Sequence, residues 1–479
     1  MPDEIAEYLG PISDEFAALD LGDKRRNARA VGIAERIAEA PARSFPKLVR
    51  SEAEREALYR LLNNDAVEFR EIVRPHALAS AQRGTSQGLT RVVHDTTDFV
   101  FKGDREGMGL VMHKMKGFFG HFALAVSGGE ARVPLGVVGI HPFARSSKPP
   151  KESLTLRKRQ GRATPRAEKE AHRWETLAVE TQTLFANGDA IHVMDQEADD
   201  YYLFAALEQA GLRYVIRGSS ERRLQPRRGR KIQEVLDEQR CESFRTVPLT
   251  ARPKNRAEKN RKAHPPREER EARLEIRWVH VDVERPEHSQ SDVPSLSLWA
   301  VQVFEPEPPP GESAIQWTLY TNEPVEDAAA ATAVVDHYRA RWRIEEYFRA
   351  LKQGCAVEKR QLCSYDAMVR AIALLAPVAW RLLLLRSLGR DDTPLPAAAI
   401  FDEDELAAAR ILCEHARCYK LPPEPTIREF MFAVAALGGH IRNNGEPGWL
   451  VLGRGFDDLL QATVVVRATR SRAVRSDQS

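Results

Sequence analysis

Tyr338-Arg-Ala-Arg341-Trp-Arg-Ile-Glu345-Glu-Tyr-Phe-Arg-Ala-Leu-Lys352 contains neither glycine nor proline and reads as one uninterrupted helix. At about 100° per residue, Tyr338, Arg341, Glu345 and Lys352 fall within an arc of roughly 60°. A carboxylate is thereby flanked along one stripe by a phenol, a guanidinium and an ammonium. Ile344, Tyr347, Phe348 and Leu351 lie beside the stripe and supply a core-facing side. Charged helical residues usually form a solvated face with i,i+4 ion pairs. Here the polar stripe borders the buried face, where a functional site would sit.

Working outward, 479 residues exceed one ordinary domain and suggest about three. An apolar content of 43% supports sizeable cores. There is no uninterrupted apolar run of about 18 residues, so no membrane span is expected. The start, Met-Pro-Asp-Glu-Ile-Ala-Glu, is acidic and lacks the apolar segment of a secretion signal. Five cysteines suit a reducing compartment without a disulfide framework. The expectation is a soluble, cytoplasmic protein.

The net charge of +2 hides a local imbalance. Arg222–Lys231 holds six basic residues and no acid; Arg252–Arg267 holds seven against Glu258 alone; Lys148–Arg173 holds nine against three. Such stretches attract polyanions, as solubilising loops also would, and three in mid-chain favour nucleic acid.

Ahead of the helix lie two short β-branched runs, each ending in an acid: Thr90-Arg-Val-Val-His94-Asp95 and Ala190-Ile-His-Val-Met-Asp195. Phe122–Val126, Gly128-Gly129 and Val133–Ile140 make a hairpin by turn chemistry. Trp174–Phe185 has helical periodicity, Gln196 leads into a helix through Leu207, and Arg213–Arg217 is another strand. This alternation reads as a mixed α/β sheet with helical cover, whose strand ends are where such sheets place their chemistry. From about 222 to 321 the period shifts to two, a β-rich insertion before the Glu345 helix.

The N-terminal stretch to about 85 reads as all-helical, with a helix near Asp14–Leu19. Asp23 is a candidate cap for a helix exposing Arg25, Arg26 and Arg29, and Ser51-x-x-Glu54 is a capping-box pattern. Beyond Gln361 the chain is helical again, with Met368–Leu388 strongly apolar. Cys413-x-His415-x-x-Cys418 has soft ligands but irregular spacing and no nearby fourth, which argues against zinc. No glycine-rich phosphate cradle of the Walker type is present.

Asp95, Asp195 and Glu345 form a D-D-E set, and Asp98, Glu197, Asp199, Asp200 and Glu346 are nearby rivals. Acids at strand ends are often turn formers and caps. Three carboxylates also suit hard cations, two of which can drive in-line phosphodiester cleavage.

The Tyr-x2-Arg-x3-Glu-x6-Lys spacing resembles the signature of insertion-sequence transposases of the IS-four type, the group of the Tn-five transposase. His94-Asp95-Thr-Thr and Asp195-x-Glu-Ala-Asp resemble that family's first and second aspartate motifs, and Leu21-Gly-Asp-Lys-Arg-Arg-Asn-Ala-Arg29 its end-binding segment. The resemblance implies an α/β fold: a ribonuclease-H-like catalytic core (86–365, β-rich insertion about 222–321) between a helical DNA-end-binding domain (1–85) and a helical C-terminal dimerisation domain (366–479). It implies Asp95, Asp195 and Glu345 as catalytic ligands of two Mg²⁺ ions, with Mn²⁺ able to substitute. Tyr338, Arg341 and Lys352 become phosphate contacts, and Trp317 in Gln-Trp-Thr-Leu-Tyr-Thr becomes a stacking partner for a flipped base. Arg217 is carried over as a DNA contact, as are Arg25, Arg26 and Arg29. The implied activity is cut-and-paste transposition through a DNA hairpin, by a homodimer joining its terminal inverted repeats to target DNA. A DNA-binding derivative without chemistry and a hydrolysis-only nuclease are the alternatives. The segment 145–173 matches no family motif.

Overall fold

The computed structural model describes residues 8–112, 115–145, 163–185, 189–219, 221–225, 230–249, 251, 266–390, 395–441 and 445–476. Most of the three basic stretches, 148–162, 226–229 and 252–265, lies outside the described residues.

In chain order, helices α1 (Lys24–Glu39), α2 (Glu52–Leu62) and α3 (Phe69–Ser86) precede strands β1 (Thr90–Phe101), β2 (Gly109–Met112), β3 (Met115–Ser127) and β4 (Pro134–Phe143). Then come α4 (His172–Gln182), β5 (Ala190–Met194), α5 (Tyr201–Gln209), β6 (Arg213–Arg217) and β7 (Leu224–Gln225). Helix α6 (Ile232–Asp237) leads to β8 (Ser243–Leu249), β9 (Arg270–Glu284), β10 (Ser295–Phe304) and β11 (Gln316–Thr321). The last part is helical: α7 (Ala328–Arg339), α8 (Trp342–Arg349), α9 (Tyr365–Leu388), α10 (Glu403–Ala416), α11 (Ile427–Leu437) and α12 (Trp449–Ser476). An antiparallel hairpin series followed by two parallel strands with helical crossovers is the ribonuclease-H-like sequence of elements, between helical N- and C-terminal regions.

The chain divides into two units. One comprises Met1–Gly88, Thr96–Pro150 and Arg343–Ser479; the other comprises Leu89–Asp95 and Lys151–Trp342. The division passes through β1 directly after Asp95.

In the first unit α9 is the spine. It is the one described helix long and apolar enough to cross a membrane, and 89% of its apolar window is buried inside the protein. Trp380 is fully buried and donates from Nε1 to the Pro134 carbonyl at 2.8 Å. Arg370 spends its guanidinium on the carbonyls of Val67 (2.7 Å) and Leu62 (3.0 Å), so a charged residue inside an apolar helix stitches it to the N-terminal helices. The predicted β3–β4 hairpin is present, pairing Val126 with Pro134 and Phe122 with Ile140. Buried Glu15 ties the N-terminal region to this hairpin through His76 (2.5 Å) and Arg83 (2.9 Å), while His76 Nε2 accepts from the Val137 N–H at 3.0 Å. Burial opposes ionisation of Glu15, but His76 and Arg83 outweigh it and bring its pKa down to about 2.

Two local expectations change. The helix near Asp14–Leu19 is a five-residue 3₁₀ turn at Ile12–Phe16, because the Asn27 side chain binds Leu19 O and Leu21 N and pulls the following residues into a loop. At Ser51 the cap is half a box: Ser51 Oγ accepts from Glu54 N, but Glu54 accepts from Arg50 N, one residue early.

In the second unit the first half of β1 pairs in parallel with β5, and β5 with β6. Strand β11 then pairs antiparallel with β6, followed by β10 and β9, with β7 and β8 both on β9. The period-two region is therefore no separate layer; it widens the sheet that carries Asp195. Its core gathers Trp174, Phe204, Tyr214, Ile216, Leu298 and Tyr320. On the other face α7 is clamped by Arg91 Nε to His337 Nδ1 (2.9 Å) and by Arg245 to Asp336 (2.7 and 2.9 Å).

The run 338–352 is not one helix. Helix α7 ends at Arg339, the chain tightens to three-residue bonding (Arg341 N to Tyr338 O, 3.0 Å), and α8 begins at Trp342. After α8 the backbone widens into a π turn, Ala350–Gly354, closed by Cys355 N to Ala350 O at 2.8 Å. Propensity sees only good helix formers here. Side-chain anchoring decides otherwise: Arg341 is drawn to Asp95, and Arg343 to the carbonyls of Arg132 and Ala131.

Candidate active site

The two aspartates are placed by register. β1 and β5 run parallel with Thr90 opposite Ala190 and Val93 opposite Val193. Asp95 and Asp195 each lie two residues further along. They therefore reach the same face at the same level, on strands about 4.8 Å apart. Strand formation is expected of these β-branched, fully buried runs. Asp195 then caps a 3₁₀ turn, accepting from Glu197 N on Oδ1 at 2.8 Å. Asp95 takes the Arg341 guanidinium at 3.0 Å, with both side chains largely shielded.

The opposite face of the same two strands carries a pair of fully buried histidines. His94 Nε2 and His192 Nδ1 are 2.9 Å apart, and His192 Nε2 reaches Gln182 Oε1 at 3.1 Å. The amide oxygen can only accept, so His192 donates from Nε2 and accepts from His94 at Nδ1. Burial brings the His192 pKa down to about 3, so the ring stays neutral. His337 falls to about 4, through burial and the charge of Arg91 beside it. Sequence reading passed over this pair. Its signal was present: a histidine next to the first aspartate and another three residues before the second.

Tyr338 and Trp317 also meet in this unit. Their ring centroids are 5.8 Å apart, edge to face, and Arg341 lies 6.0 Å from the Tyr338 ring. Tyr338 is buried and Trp317 half-buried, so both are packed in this state. Arg217 closes β6 opposite Leu319.

In the first unit, Glu345 sits in the opening turn of α8, half-buried. Its neighbour Glu346 is the structural acid: buried, and held by Arg343 (2.9 Å) and Arg390 (2.7 Å). Burial works against the Glu346 carboxylate, yet the two guanidiniums lower its pKa. Lys352 lies in the π turn with its ammonium 3.0 Å from Asp98 and 3.9 Å from Glu358. The other rival acids are likewise bound, Glu197 by Arg173 at 3.0 Å, Asp199 by Arg222 and Asp200 by Arg166. The pairing of Lys352 with Asp98 had no signal in local sequence, since the two lie 254 positions apart.

In α1, Asp23 caps as expected, accepting from Arg25 N (2.7 Å) and Arg26 N (3.2 Å), bonds that lower its pKa. Arg25 is exposed and Arg26 and Arg29 are partly so. Among the described residues no three acidic, histidine or cysteine side chains converge on one point as a ready metal cage. Asp95 and Asp195 still present hard oxygen donors at matched register, the chemistry that Mg²⁺ or Mn²⁺ selects.

Residues 11–67 match the family of transposase DNA-binding domains, and residues 163–380 match the transposase DDE domain. Two stretches of the chain are thus transposase domains, one DNA-binding and one of the DDE type. The DNA-binding match contains α1 with Arg25, Arg26 and Arg29. The DDE match contains Asp195, Arg217, Trp317, Tyr338, Arg341, Glu345 and Lys352. Asp95 lies outside both matched stretches; what links it to Asp195 is the register of their strands. Among solved structures, the chain is similar to the piggyBac transposase synaptic complex with hairpin DNA, at 12% identity and a TM-score of 0.34, over 99% of this chain and 82% of that one.

Proposed function

We propose that this transposase cuts DNA at the ends of an insertion sequence of the IS-four type and joins those ends to target DNA. Asp95, Asp195 and Glu345 are the acids assigned to two Mg²⁺ ions, or Mn²⁺ in their place. Bound there, the cations would supply an activated nucleophile and neutralise the leaving oxygen. The single observation that carries this reading is the matched placement of Asp95 and Asp195 on adjacent parallel strands, on the face that also receives Arg341.

The remaining roles belong to the side chains. Arg341 and Lys352 hold phosphate oxygens of the DNA end, exchanging their present carboxylate partners for phosphate. Trp317 takes a flipped base by turning away from Tyr338, since an indole stacks any base at roughly 1–3 kcal/mol. Arg25, Arg26 and Arg29 grip the terminal repeat, and Arg217 adds a backbone contact. One strand is hydrolysed at each end; the freed 3′-hydroxyl attacks the opposite strand to form a hairpin; water reopens it; the 3′-hydroxyl then joins target DNA. Two copies of the chain act together, one per end.

A cleavage and joining assay on terminal-repeat DNA tests the proposal. Wild type with Mg²⁺ is expected to yield nicked, hairpin and joined products, and Asp195→Asn to bind the ends yet cut none. Cleavage unchanged in Asp195→Asn would remove the assignment. Hydrolysis with no joining of precut ends would reduce the protein to a nuclease.

A further inference from the structure

Helix α10 ends on a cap that brings two thiols together. Arg417 adopts left-handed backbone angles (φ 51°, ψ 31°), and the chain folds back so that Cys418 N donates to Cys413 O at 3.3 Å. This six-to-one bond is the mark of a Schellman cap. It sets the peptides of the two cysteines one hydrogen bond apart, although five positions separate them in sequence. Cys413 is buried, with its sulfur 3.9 Å from Ala433 O, while Cys418 is exposed. Both line a cavity of about 560 Å³ together with Phe432 and His440. His440 Nε2 is buried and has no hydrogen-bond partner among the described residues. No metal cage forms here, since no three histidine, cysteine or acidic side chains among the described residues converge.

We propose that Cys413 and Cys418 are a dithiol site for small organic disulfides, which convert the pair into an intramolecular disulfide by thiol exchange. The exposed Cys418 thiolate attacks one sulfur of R–S–S–R; a Cys418–S–S–R bond forms and RS⁻ leaves. Cys413 then gives its proton to His440, its sulfur attacks Cys418 Sγ, and the second RS⁻ departs and takes up a proton. The protein loses two protons and two electrons, and the small disulfide is reduced to two thiols. Burial, with the Cys418 thiol beside it, pushes Cys413 up to about 12, so closure is the slow step and needs the His440 base. The bond staples the end of α10 to the segment that follows it and narrows the mouth of the cavity.

Trypsin separates the two residues, leaving Cys413 in Ile411–Arg417 and Cys418 in Cys418–Lys420. The full-length protein is treated with excess oxidised glutathione, acid-quenched at intervals, and digested without reduction. The expected product is the cross-linked pair of these peptides. In Cys413→Ala, Cys418 retains the glutathione, and in His440→Ala the mixed disulfide accumulates. Cys418→Ser, a change at an exposed position, is expected to leave Cys413 unmodified. A wild-type Cys418 that stays glutathionylated, or links only to another chain, overturns the proposal. So does a Cys413 that reacts at wild-type rate in Cys418→Ser.

Discussion

Arg341 holds Asp95 in a 3.0 Å ion pair at the level where Asp195 ends its own strand. A cation arriving at Asp95 must share or displace this guanidinium, and a DNA phosphate would draw it away. On the function proposed above, metal and DNA would therefore cooperate at this carboxylate. Arg341→Gln is expected to tighten Mn²⁺ binding to the DNA-free protein by roughly fivefold, about 1 kcal/mol for a partly shielded pair, while weakening binding to the DNA end. Titration of Mn²⁺ by electron spin resonance reads the first effect, and unchanged or weaker Mn²⁺ binding would refute the competition.

Glu15 joins the N-terminal region to the β3–β4 hairpin through His76 and Arg83. Its carboxyl is lowered from the ordinary 4.5 to about 2, so its stabilisation is complete above pH 4.5 and is lost as pH falls toward 2. Glu15→Gln leaves half-buried Arg83 without its counter-charge and is expected to destabilise the fold by about 2 kcal/mol at neutral pH. Urea unfolding at pH 7 and pH 3 measures both: the gap between wild type and variant must shrink at the lower pH.

His192 and His337 are neutral in the folded state, with pKa values near 3 and 4, against 6.5 when unfolded. The unfolded chain takes up protons first as pH falls. Stability is fully present above pH 6.5 and declines through the window down to those folded values. At pH 5 each histidine removes about 2 kcal/mol. His337→Gln should flatten this slope between pH 7 and 5, as followed by chemical denaturation. A slope equal to that of wild type would show that His337 is not the group responsible.

Trp380 donates to Pro134 O from inside the apolar helix α9. Trp380→Phe keeps an aromatic ring but strands a buried carbonyl, at an expected cost of about 2 kcal/mol. A Trp380→Phe protein with an unchanged thermal midpoint would mean that water replaces the indole.

The legible parts of this molecule were those written in local chemistry. The alternation Thr90–Asp95 and Ala190–Asp195 gave both strands and their terminal acids, and Asp23 gave the cap of α1. The helix around Glu345 was legible in type but not in continuity, because at its break Arg341 is drawn to Asp95, 246 positions away. Likewise the sequence marks Lys352 only as a phosphate contact, with no sign of Asp98 and Glu358 facing it. The buried histidine pair was invisible as a pair until β1 and β5 were aligned.

Parallel neighbours such as β1 and β5 are not joined by a tight turn, so the level of their two acids is set by the ladder of four backbone pairs and by the histidines behind it. The length of chain between the two strands therefore carries no instruction about carboxylate spacing, and lengthening it would leave that spacing alone. One extra residue inside Thr90–Asp95 would do the reverse. It would advance the acid by about 3.3 Å and turn it to the side where the histidines lie.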